Sequence, residues 1–156
     1  MVAELVRLVV VAFVTAIFVF LLQPWLFQSG SIAIFDVEVE EWLPDAYMPG
    51  ASIVFGAALI AIALWYLSAR RSKIKAFKDA SPMRLVWALF LLIPIIGIAI
   101  ALYFFNGSGD ALLWLTSLYV FDILLLYWFG SAISSPGLLK FVPPFSFQIR
   151  SLMGLK

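Results

Sequence analysis

Residues 8–22 read LVVVAFVTAIFVFLL, a run in which Thr15 is the only polar side chain. Widened to residues 5–25 it is long enough, at about 1.5 Å per residue, to cross the ~30 Å hydrocarbon layer of a bilayer. Pro24 and Trp25 close the far end. The rest of the chain has the same character. Of its 156 residues, 65% are hydrophobic and 12% charged, with a mean hydropathy of +1.10. A soluble domain is about half apolar and a quarter charged. A globule this small has too much surface to hide such an excess.

Three further apolar stretches follow, at 51–69, 85–105 and 111–129. They predict an all-α integral membrane protein, with four transmembrane helices in an antiparallel bundle over residues 1–129. A cleaved leader is the competing reading of the first stretch, with Ser29-Gly30-Ser31 as a weak cleavage site. The length of the apolar run, at the upper limit for a signal core, favours an uncleaved helix.

The polar connections differ in sign. Residues 28–50 hold Asp36, Glu38, Glu40, Glu41 and Asp45 and no base. Asp36 to Glu40 alternates with period two, which suggests a short extended piece. The loop 70–84 carries Arg70, Arg71, Lys73, Lys75, Lys78 and Arg84 against a single acid, Asp79. So short a basic loop beside an apolar helix reads as a lipid-headgroup contact and not as a nucleic-acid site. Residues 106–110 form a tight Gly-rich turn, which makes the third and fourth helices adjacent. Residues 130–156 hold Lys140, Arg150 and Lys156, no acid and three prolines. They read as a basic, amphipathic tail lying on the membrane surface.

With both termini in the cytoplasm, all 10 basic residues fall on the inner side, and the outer connections carry only acids. The positive-inside bias therefore sets the orientation, and a bacterial inner membrane is the expected location. Trp25, Trp42 and Trp114 then fall at the outer interface, and Trp65, Trp87 and Trp128 at the inner one.

The chain has no cysteine and no histidine. Disulfides, thiolate chemistry, histidine-held metals and a Ser-His-Asp relay are excluded. No catalytic residue, cofactor or metal site is expected. Asp122 is the one charge-bearing residue inside a span. Such an aspartate costs several kcal/mol unless it finds a partner or keeps its proton. Candidate partners at similar depth are Thr15, Thr116 and Tyr119, together with the Phe90 carbonyl that Pro94 frees. Asp122 reads first as a hydrogen-bonding tie between helices, then as a contact to a partner protein or as part of an ion pathway. Small residues four apart mark candidate helix contacts: Ser52 with Gly56, Ala57 with Ala61, and Gly97 with Ala101.

In size and layout the chain resembles small four-helix inner-membrane proteins, such as immunity proteins against pore-forming toxins and accessory subunits of secretion or respiratory assemblies. The expectation is a non-enzymatic subunit, scaffold or accessory factor of a larger membrane assembly. Its expected partners are the lipid bilayer and other membrane proteins or further copies of itself. The alternatives are an oligomeric ion or proton conductor using Asp122 and an immunity-type protein.

Overall fold

The computed structural model describes residues 2–72, 74, 80–105 and 109–155. It is all-helical, with no strand among the described residues. Four helices are long and apolar enough to cross a membrane: α1 (Val2–Gln28), α2 (Val39–Arg71), α3 (Ser81–Phe104) and α4 (Asp110–Ser134). A 3₁₀ turn (Gly137–Phe141) and a short helix, α5 (Ser146–Leu152), complete the chain.

Side-chain bonds show how the helices alternate. At one end, Arg7 of α1 reaches the carbonyl of Ile133 in α4 at 3.3 Å. At that same end Trp65 of α2 donates to Ser135, and Trp87 of α3 donates to Ser131, at 2.8 and 2.9 Å. At the other end, the Asp36 carboxylate after α1 accepts from the Asp110 amide that opens α4, at 2.8 Å. Neighbouring helices therefore run antiparallel. The most extensive interface joins α2 and α3.

Every helix is longer than its apolar run alone, because polar residues join it at the ends. The largest extension is in α2. The piece read as extended at 36–40 gives way to helix from Val39, with Glu40 and Glu41 in its first turn. Acids there meet the positive end of the helix dipole, which outweighs the period-two pattern. Trp42 consequently leaves the surface and is buried against Phe27 and Tyr47, with ring centroids 5.1 and 5.8 Å away. Trp65 and Trp87 are likewise buried, because serines beyond their helices accept from the indoles.

Residues 130–155 are tied to the bundle at several points. Gly130–Ser134 continues α4 and is buried throughout. Leu139, Val142, Ser146 and Arg150 pack onto the same end of the bundle. The serines explain this: Ser131, Ser134 and Ser135 bond to carbonyls one turn earlier while two of them receive the indoles.

Of the α3–α4 connection, Phe105 and Gly109 are described. Gly109 has φ +53° and ψ −121°, and a side chain there would collide with the Asp36 carboxylate. Gly109→Ala is expected to cost about 2 kcal/mol from backbone strain and displacement of Asp36. Thermal unfolding by circular dichroism checks it, and an unchanged midpoint would contradict it.

Candidate functional site

Three π-helical turns interrupt the long helices: Phe18–Leu22 in α1, Leu43–Tyr47 in α2 and Leu124–Phe129 in α4. π-turns are uncommon and gather where side chains must be re-aimed. These three adjoin one polar cluster. The first leads directly into Gln23, the second ends on Tyr47, and the third begins two residues after Asp122.

Asp122 is 2% exposed and Gln23 is fully buried. The Gln23 amide Nε2 donates to Asp122 Oδ1 at 2.7 Å, joining α1 to α4. The Tyr47 hydroxyl bonds to Gln23 Oε1 and, at 2.8 Å, to the Val19 carbonyl in the first π-turn. It has one proton, shared between these two acceptors. Tyr119, one turn before Asp122, donates to the Tyr47 carbonyl at 3.3 Å. One connected set of bonds thus ties α1, α2 and α4 together. Rings close it from the side, with Tyr47 and Tyr119 centroids 6.4 Å apart and Phe27 5.9 Å from Tyr47. Among the described residues, Asp122 Oδ2 and the Trp42 indole nitrogen are the buried side-chain polar atoms left without a protein partner.

Of the expected partners of Asp122, Tyr119 alone joins its network. Thr15 is buried but returns its hydroxyl to Val11 of its own helix, and Thr116 does the same to Leu112, both at 2.8 Å. Hydroxyls in helices commonly bond back one turn in this way. Pro94 is buried inside α3. Gln23 was missed because it falls at the boundary between the unbroken apolar run and Pro24. The signal was nonetheless there: an amide inside a span needs a partner as much as an acid does.

The small residues divide. A side chain on Gly97 would meet the Ala57 methyl at 2.9 Å, so α2 and α3 touch there. Ala61 and Ala101 are buried. Ser52 is exposed and bonds back to Met48, and a Cβ added at Gly56 would meet nothing within 4 Å. Asp36, Glu38, Glu40, Glu41 and Asp45 are all exposed at one end, and among the described residues no acids gather into a cation cage. Arg70, Arg71 and Arg84 are exposed at the other end, with the Arg70 guanidinium 5.8 Å above the Tyr66 ring. Lys73, Lys75 and Lys78 lie outside the described residues. Set against known protein families, characterised proteins and solved structures, the chain matches none.

Proposed function

We propose that the chain is a multi-pass inner-membrane protein with both ends in the cytoplasm. In this reading it serves as a non-enzymatic subunit or accessory factor of a larger membrane assembly. The observation that carries the reading is where its polar and apolar groups go. The intramembrane polar chemistry turns inward, since Asp122 and Gln23 bond each other and are buried within one chain. Only 17% of the most apolar stretch of α1 is buried, which leaves Val9, Val10, Phe13 and Leu21 outside. A surface that apolar needs lipid or another membrane helix against it. The separation of exposed acids and exposed arginines to opposite ends supports the orientation.

An ion conductor with Asp122 on an oligomer axis requires that carboxylate to face a neighbouring chain, and here it faces Gln23 of its own α1. Purification of the tagged chain in a mild detergent, followed by native gel electrophoresis, tests the reading. A discrete complex larger than the chain alone is expected. A monomer with nothing bound would overturn the assembly role.

A further inference from the structure

The residue that opens α5 is strained. Phe145 has φ +58° and ψ +10°, and among the described residues it is the one non-glycine in the left-handed region. That backbone suits glycine or asparagine and fits a bulky side chain badly. The surroundings hold it there. Pro143 and Pro144 precede it, and the Trp128 indole donates to the Pro144 carbonyl at 2.8 Å. The Phe145 carbonyl accepts from the Ile149 amide at 3.1 Å. Its ring gains little from the bundle in return, since Phe145 is 68% exposed. Strain kept for an exposed aromatic ring points to a use outside the fold.

The remainder of α5 sorts its residues by direction. Ser146 and Arg150 are buried, and Ile149 packs against the bundle beside them. Gln148 and Ser151 fall on the opposite side at helical spacing and are exposed. Phe147 and Leu152 occupy the two flanks between, and both are exposed, Leu152 at 89%. Each flank adjoins an apolar stretch of the long helices. Phe145 and Phe147 share a cavity with Arg84, which is followed on α3 by the exposed Leu85 and Leu89. Beyond Leu152, Met153 lines a groove with Val6 and Val10 of α1. The level of α5 is set by α4. Arg150 donates to the carbonyls of Ala132 and Ile133, at 3.4 and 3.1 Å, in the last turn of that helix.

Resting on the membrane reading above, we propose that Phe145 and α5 form an interfacial anchor. Phe145, Phe147 and Leu152 insert at the boundary between headgroups and acyl chains, in the leaflet at the Arg7 end, while Gln148 stays in water. Apolar and aromatic side chains at the end of a spanning helix gain most at that depth. Their surface is continuous with the exposed apolar sides of α1 and α3, so the same lipid covers both. The insertion is apolar and asks no charge of the lipid. It fixes how deep the end of α4 sits in the bilayer.

Single cysteines carrying a nitroxide test this in the full chain, purified and returned to phosphatidylcholine vesicles. Electron paramagnetic resonance compares collisions with oxygen, which concentrates in hydrocarbon, and with a water-soluble nickel chelate. Labels at Phe145→Cys and Leu152→Cys should favour oxygen, and a label at Gln148→Cys should favour the chelate. Phe145→Gly suits the left-handed turn and removes the ring. It should keep the helical circular dichroism and lower the oxygen preference of the Leu152→Cys label. Val10→Cys, on the exposed side of α1, separates the anchor from the membrane reading. Chelate preference at Phe145→Cys and Leu152→Cys, with oxygen preference at Val10→Cys, sinks the anchor alone and leaves those residues as a face for another protein. Chelate preference at every position sinks the membrane reading with it. An oxygen preference at Gln148→Cys equal to its neighbours', or a Leu152→Cys label unaffected by Phe145→Gly, would also overturn the anchor.

Discussion

Gln23→Met should destabilise the bundle by about 2 kcal/mol, and adding Asp122→Leu should restore most of the loss. Interhelical hydrogen bonds in lipid average about 0.6 kcal/mol and reach about 1.7. Removing Gln23 loses one such bond and also strands a carboxyl that is 2% exposed. A buried polar group left unpaired costs a further amount of the same order or more, about 1–3 kcal/mol. Removing both partners strands neither, so the double variant should lie within about 1 kcal/mol of the parent. Tyr47 does not spoil the comparison, because its hydroxyl keeps the Val19 carbonyl. Reversible unfolding in mixed micelles, read as a double-mutant cycle, measures the coupling. Simple addition of the two losses would show that Gln23 and Asp122 do not act as a pair.

Gly97→Leu should be at least as damaging, at about 3 kcal/mol. Any side chain at that position begins 2.9 Å from the Ala57 methyl, with the Ile53 carbonyl and Val54 Cα at 3.8 Å behind it. Leucine would force α2 from α3 along the most extensive interface in the fold. Gly97→Ala should cost about 1 kcal/mol, and Ala57→Gly should relieve it by removing the obstructing methyl. Gly56→Leu, where an added Cβ would meet nothing within 4 Å, is the control and should change stability by less than about 0.5 kcal/mol. Equal losses at Gly56 and Gly97 would contradict this packing.

The sequence and the structure agree where the physics is a sum over many residues. Four apolar stretches, each long enough to span hydrocarbon, leave little freedom in the number of long helices. Where a single contact decides, the linear pattern was silent. Asp122 stood out because charge in such a span is costly, but its partner on α1 could not be read from depth alone. Three π-turns rotate the helices around it, and periodicity does not report a π-turn. Thr15 and Thr116 looked equally suitable and were taken up by their own backbones. The tail hid a contact for a related reason. Its prolines and half-apolar composition suited a surface segment, while its serines were the acceptors that Trp65 and Trp87 required. Gly97 with Ala101 and Ser52 with Gly56 share one spacing, and only three-dimensional packing separates them.

The central claim is four membrane crossings with the arginine-bearing end inside the cell. Because the chain has no cysteine of its own, single cysteines report without background. Glu40 and Gln148 are both exposed and lie at opposite ends of the bundle. In intact cells an impermeant maleimide should modify Glu40→Cys readily and Gln148→Cys only after permeabilisation. Modification of Gln148→Cys in sealed cells, with Glu40→Cys protected, would invert the orientation, and modification of both would remove the membrane barrier on which it depends.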